Sequence, residues 1–291
     1  MNVKLILMTK DEKELIKPWL TYHGERLGYE NLHIIDDSED QKVLDFYENH
    51  KHLNFHLHRD ETGTRNLNNM RDTFTKIQNS IKEDEVFLIK MDADEFLVHL
   101  SSNKISIKKS LIKTSLKSYK KPFAINPIQP KNANYLKKES STLFDTTDFV
   151  LLNMPAFKIT FTKTQKMNLG GHNMITDKGK CAINYTAKDL AIVHFHHKKF
   201  KDQVKTSKQI CISHEWINKE DDNKTIVEKL RKIKKPDSKH KRERLIESIT
   251  NSKAEETYYK NCEESFHDFK YTVINSFKFK YFKNFKKLRI I

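Results

Sequence analysis

Glycine is scarce in this chain, six residues in 291. None of the six forms G-x-G-x-x-G or G-x-x-x-x-G-K, which excludes the glycine-rich phosphate loops of dinucleotide-binding and P-loop folds. A nucleotide bound here would have its diphosphate held another way. Cysteine is scarce too. Cys181, Cys211 and Cys262 are odd in number, far apart and form no C-x-x-C pair. That argues against a zinc ribbon or a disulfide framework and fits a reducing compartment. Long apolar runs are missing. The opening MNVKLILMTKDEKE has only a few apolar residues before charge resumes, too short for a signal-peptide core. No window reaches the roughly 20 apolar residues of a membrane helix. The expectation is a cytoplasmic chain, soluble or peripheral on a membrane, with no signal peptide or transmembrane segment.

What is present is charge and aromatic bulk. Lys and Arg number 54 against 39 Asp and Glu, a formal net charge of +15. Such a field attracts anions: nucleic acid, anionic lipid or phosphorylated substrates. A compositional bias toward Lys and Asn accounts for part of the excess. The hydrophobic fraction is low at 37%, but 18 Phe and 10 Tyr supply enough bulk for a core.

Strand-length and helix-period segments alternate through the first ninety residues. Val3–Met8, 31–35, 53–57 and Val86–Met91 read as strands. Between them, residues up to about Leu27, Glu39–Asn49 and 67–81 read as helices, the first with Asp11 and Glu14 spaced as a capping pair, Pro18 near its start and Gly28 at its stop. Alternation of this kind means crossover units and a mostly parallel sheet, whose ligands bind beyond the carboxyl ends of the strands. The polar stretches Thr9–Glu12, Asp36–Ser38 and Asp92–Glu95 all fall at those ends. Beyond Val98, Lys104–Lys121 reads as one basic helix, 122–128, 157–162 and 190–196 as strands, and the chain from about Lys198 as helical and very basic.

The stretch VFLIKMDADEFLV, Val86–Val98, carries the chemistry. An apolar strand ends in Asp92, Asp94 and Glu95, and residues i and i+2 of extended backbone share a side. Asp92 and Asp94 therefore face one point, where a hard divalent cation would relieve their repulsion; the plain alternative is an acidic turn that caps the next element. His194 and His196, at the end of another apolar strand, share a face by the same rule, and an imidazole beside carboxylates suits Mn²⁺.

These blocks resemble GT-A-type glycosyltransferases, especially the family 92 and family 2-like group. KDEKELIKPWLTYHGERLGYENLHIIDDS matches the opening of such proteins through Asp11 and Glu12, then Trp19, Tyr22 and His23, then Asp36, Asp37 and Ser38. KMDADEFLV resembles their D-x-D-E-F block. FKITFTKTQKMNLGGHN resembles a block in which a Lys-bearing strand leads to a Gly-His turn, matched by Lys158 and His172. AIVHFHHKKF resembles the final H-[YF] block and puts His194 at its histidine, although His197, Lys198 and Lys199 stand where related sequences have an Arg-Ser pair. The resemblance covers about residues 1–205.

The resemblance implies an α/β fold with a GT-A-like, mostly parallel central sheet flanked by helices. It divides the chain into a catalytic domain over 1–205 and a basic helical C-terminal extension over 206–291. It implies a hexosyltransferase-type enzyme that moves a sugar from a nucleotide-sugar donor, a UDP-sugar first among them, to a glycan or lipid-linked acceptor with inversion. Thr9, Asp11, Glu12, Asp37, Arg71, Asp92 and Lys158 would bind the donor. Asp92, Asp94 and His194 would hold Mn²⁺ or Mg²⁺, and His172 would shape the acceptor side. An inverting reaction also needs a carboxylate base; Glu139, Asp145, Asp148 and Asp177 are candidates by position, and the choice among them stays open. Residues 271–291 interleave Lys and Arg with aromatics and contain no acid, a composition suited to an anionic membrane surface. Two other classes compete. A basic nucleic-acid-binding protein fits the charge but shows no binding motif. A phosphatase of the haloacid-dehalogenase type also uses D-x-D after a strand but expects a hydroxyl residue two places after the second Asp, where Phe96 stands.

Overall fold

A computed structural model describes residues 2–59, 67–81, 86–101, 104–106, 108–131, 136, 148–152, 158–161, 166–167, 174–176, 179–181, 183, 185–233, 239–267 and 273–278. The early alternation is present: β1 (Asn2–Thr9), α1 (Ile16–Leu27), β2 (Leu32–Asp36), α2 (Gln41–His50), β3 (His56–Arg59), α3 (Leu67–Ser80) and β4 (Val86–Met91). The four strands form a wholly parallel sheet in the order β3-β2-β1-β4. Every residue of β2 and of β4 is buried, as in a parallel sheet covered on both faces. On one face Ile6, Ile35 and Leu88 pack with Phe74 and Ile77 of α3 and with Ile81 just after it. The α/β class with a parallel sheet flanked by helices is thus as expected.

The next elements are β5 (Glu95–Ser101), β6 (Lys104–Ser106), α4 (Lys109–Ser118), β7 (Ala124–Pro130), β8 (Asp148–Leu152), β9 (Lys158–Ile159), β10 (Lys166–Met167), β11 (Met174–Thr176), β12 (Gly179–Cys181) and β13 (Thr186–His194). Helices α5 (Phe200–Ser213), α6 (Asn223–Lys232), α7 (Lys239–Thr250) and α8 (Ala254–His267) follow, then β14 (Val273–Lys278). A second sheet runs β14-β8-β7-β13-β5-β6, with β9 also on β7. In it β13 is parallel to β7 and the other pairings are antiparallel. Strands β10 to β12 make a small antiparallel sheet of their own.

Helix α1 is attached to β5 by the W-x-x-Y-H block. Trp19, Tyr22 and His23 are buried, and the His23 ring stacks on Phe96 with centroids 5.6 Å apart. The Tyr22 hydroxyl donates to the Leu97 carbonyl at 2.9 Å. His23 Nε2 accepts from the Leu97 N–H at 3.2 Å, which leaves Nδ1 as the donor to the Trp19 carbonyl at 3.0 Å. Both polar groups of one strand residue are thus satisfied by one helix face, and His23 has to be neutral to do it.

The chain separates into two units. One comprises 1–131, 144–196 and 270–291; the other comprises 132–143 and 197–269. The second has a core of Cys211, Ile217, Ile226, Leu230 and Leu245, with Leu136, Tyr258 and Cys262 as a smaller cluster. The division falls at residue 197 rather than 205, and Val273–Lys278 belong to the first unit because β14 pairs antiparallel with β8. Residues 273–278 therefore form a strand where the sequence reading placed a helical extension. Three local expectations also change. Lys104–Lys121 is a strand and a helix, because Ile105 pairs with Leu100 to extend the second sheet. The third strand starts at His56, since Asn54 takes the left-handed conformation (φ 63°). Leu15, not an Asp11–Glu14 pair, precedes α1, with no side-chain cap. Among the described residues no helix is long and apolar enough to cross a membrane.

Burial pulls the His23 pKa down to about 3, and does the same for His33, with His56 and His58 adding to it. Above pH 6.5 these rings are neutral whether the chain is folded or not. Below it the unfolded chain takes up protons that the folded chain cannot, so stability falls with pH, by about 1.4 kcal/mol per unit for His23. We expect the urea midpoint of the wild type to drop more steeply between pH 7 and 5 than that of His23→Gln, and the His23 ring resonances to show no protonation above pH 4. Parallel slopes would refute the neutral-ring assignment.

Candidate active site

Strands β2, β1 and β4 are neighbours, so their polar carboxyl ends lie side by side at one rim. At the end of β2, Asp36 is fully buried and accepts from the Ser38 N–H at 3.0 Å, the Ser38 hydroxyl at 2.7 Å and the Tyr47 hydroxyl at 3.0 Å. Burial and the Asp36 carboxylate push the Tyr47 hydroxyl pKa up, which keeps it a donor. Arg59, at the end of β3, donates to the Ser38 carbonyl at 2.6 Å and lies 3.5 Å from Asp36.

The neighbouring turn after β1 is sewn to this one. Asp11 has φ 51°, a left-handed conformation that Asp tolerates better than most residues. Its N–H donates to Ser38 Oγ at 2.7 Å, and its Oδ1 accepts from the Glu39 and Asp40 N–H groups, each at 2.9 Å. Asp37 donates its N–H to the Thr9 carbonyl at 3.2 Å, and its carboxylate is 3.4 Å from Lys10 Nζ. Thr9 is buried and Glu12 half-buried on the same turn.

At the end of β4 the charges are closely set. Lys158 is fully buried, with Nζ 3.2 Å from Asp92 Oδ2 and 3.1 Å from Glu95 Oε2. Lys90 Nζ contacts Asp92 Oδ1. Glu95 is buried, and its Oε2 also accepts from the Asp92 N–H at 2.8 Å, while the Glu95 N–H donates to the Asp92 carbonyl at 3.1 Å. The Asp92 side chain remains 45% exposed, so solvent reaches it beside these ammonium groups. Burial acts to raise the Asp92 pKa, but Lys90 and Lys158 outweigh it and hold the carboxyl well below the usual range. Burial, together with the Asp92 carboxylate, pushes Glu95 up to about 8 against the pull of Lys158. Burial pulls Lys158 down, but Glu95 and Asp92 more than offset it, so its ammonium persists.

His194 ends β13 and stands opposite Glu95 in the β13–β5 register. Its Nε2 is 3.9 Å from Asp94 Oδ1, and both side chains are mostly covered. The Phe195 N–H donates to the Asp94 carbonyl at 3.0 Å. Asp94 and His194 thus offer adjacent oxygen and nitrogen donors, a set compatible with Mn²⁺. Ammonium groups of Lys90 and Lys158 already face the two oxygens of Asp92. Among the described residues no three His, Cys, Asp or Glu side chains form a metal-binding group.

Arg71 lies in α3, but its side chain is outside the described residues, as is that of Asp148 in β8; His172, Glu139, Asp145 and Asp177 lie outside them altogether. Sequence reasoning overlooked Lys90 and Arg59. The period-two rule signals Lys90, two residues before Asp92 on the same side, and Arg59 closes a strand at the same rim.

No protein-family model and no curated protein matches this chain. Among solved structures it resembles residues 1–349 of TarS from S. aureus, with 10% identity, 94% of this chain and 96% of that chain covered, and a TM-score of 0.37. It also resembles a nucleotide-diphospho-sugar transferase from Desulfovibrio desulfuricans G20 (15% identity, 45% and 59% covered, TM-score 0.22). A third likeness is the inositol-1-phosphate CTP transferase of T. maritima (12% identity, 72% and 74% covered, TM-score 0.29). At TM-scores this low the likenesses are loose.

The geometry gives Asp11 a structural duty whatever it binds. Asp11→Ala removes two charge-assisted caps and puts a Cβ-only side chain at positive φ, and should cost roughly 2 kcal/mol in urea unfolding. Asp11→Asn keeps an acceptor and tolerates the conformation, so it should cost less than half as much. Equal losses would overturn this assignment.

Proposed function

We propose that the chain is a transferase that binds a nucleoside-diphosphate sugar at the carboxyl rim of the parallel sheet and passes the sugar to a hydroxyl acceptor. One observation supports this above the rest: two blocks about a hundred residues apart in sequence meet at one turn, Asp92–Glu95 after β4 and His194 at the end of β13. The rim shared by β2, β1 and β4 is where an open parallel sheet takes its ligand.

In this reading Asp92, ionised and half exposed, accepts hydrogen bonds from the donor's ribose hydroxyls. Thr9, Glu12 and Asp37 border the nucleoside, and Asp11 acts mainly by holding the Ser38–Asp40 turn in shape. Asp94 and His194 would hold a divalent cation, which when bound supplies positive charge to the departing diphosphate. Arg71 and His172 remain proposed donor-side and acceptor-side residues. The acceptor base is proposed among Glu139, Asp145, Asp148 and Asp177, and the donor as a UDP-sugar. A glycan or lipid-linked acceptor, and an anionic membrane surface for 271–291, complete the proposal.

A thermal-shift series with UDP, GDP, CDP and ADP, with and without Mn²⁺, tests it. At least one diphosphate should raise the melting temperature by about 2 °C or more. Asp94→Asn should abolish transfer or hydrolysis of the matching nucleotide sugar while the melting temperature stays within about 2 °C of wild type. No shift with any nucleotide, or full activity in that variant, would reject the reading.

A further inference from the structure

Two ammonium groups and one dication can neutralise the same carboxylates, but they cannot occupy the same place. At Asp92 the place is taken. Lys158 Nζ lies between Asp92 Oδ2 and Glu95 Oε2, at 3.2 and 3.1 Å, with its side chain fully buried. Lys90 covers the other oxygen of Asp92.

The backbone sets this arrangement. Lys158 and Ile159 pair with Ile125 and Ala124 of β7. The Thr160 N–H donates to the Phe123 carbonyl at 2.9 Å. Phe161 exchanges both backbone hydrogen bonds with Leu88 of β4, at 2.7 and 2.9 Å. A four-residue segment thus fixes the ammonium against the strand that leads into Asp92. Asp94 is differently placed, with His194 beside its carboxylate.

We propose that Lys158 is a tethered counter-cation. It fills the position that a divalent ion would take between Asp92 and Glu95, and so keeps Asp92 out of any metal's ligand set. It also fixes the direction in which Asp92 accepts hydrogen bonds. Lys158 is then a positioning residue that divides the labour of the two aspartates: Asp92 receives hydroxyl groups, and a cation is directed to Asp94. The inference concerns the site of the proposed transferase, yet its first test does not depend on that reading.

The test uses the full chain without nucleotide, with Mn²⁺ binding followed by electron paramagnetic resonance and by melting temperature. Wild type and Lys158→Arg should bind Mn²⁺ alike and weakly. Lys158→Met should melt roughly 5–10 °C lower, bind Mn²⁺ at least about tenfold more tightly, and recover part of the lost melting temperature when the ion is added. Equal Mn²⁺ binding in all three proteins would overturn the proposal. Should Lys158→Met fail to fold, Asp92→Asn decides the matter. Its Mn²⁺ affinity without nucleotide should stay within about twofold of wild type, and any larger loss would overturn the proposal. Failure of all four nucleoside diphosphates to bind would instead sink the transferase reading, while the nucleotide-free measurements still judge Lys158.

Discussion

A buried ammonium between two carboxylates organises this site. Lys158 contacts Asp92 and Glu95 at once, and removing one member of such a buried set typically costs about 3–5 kcal/mol, because the charges left behind have lost their partner. The contact sits where the chain passes from the parallel sheet into the mixed one, β4 belonging to the first and β5 to the second. A turn at such a junction is not held by either ladder alone. The ion cluster, with the reciprocal hydrogen bonds of Asp92 and Glu95, gives it a defined shape.

Other contacts serve the same end from further away. Tyr22 and His23 of α1 satisfy both backbone groups of Leu97, two residues beyond Glu95. The pairing of β13 with β5 brings His194 opposite Glu95. The Asp11 carboxylate ties the turn after β1 to the one after β2. These are polar groups buried or half-buried with partners, and each such group restricts the alternatives open to the chain. The rim is therefore shaped before any ligand arrives, as a site that depends on placed charges requires.

Charge is separated within the site. Ammonium groups hold Asp92 in its ionised form, Glu95 is pushed toward its neutral form, and Asp94 faces an imidazole. Three acidic residues within four positions thus have three different electrostatic surroundings. Identical side chains in one short motif need not share a function when their neighbours come from different parts of the chain.

The periodicity of the first ninety residues was enough to read the strands, the helices and the parallel sheet, because alternating apolar runs bury themselves in few ways. The D-x-D turn and the histidine-tipped strand were legible for the same reason, and Lys90 was within reach of the period-two rule. The role of the W-x-x-Y-H block was not: its apolar spacing announces a buried face, but that Tyr22 and His23 satisfy Leu97 depends on where β5 lies. Nor was the return of Val273–Lys278 to pair with β8, since pairing partners far apart in sequence leave no local trace. Sequence by itself determined the acidic tip of β4 and the alternation that puts it at a sheet rim. Only the tertiary structure decided what neutralises that tip, because Lys158 is 66 residues from Asp92 along the chain, and Coulomb's law acts on distance in space.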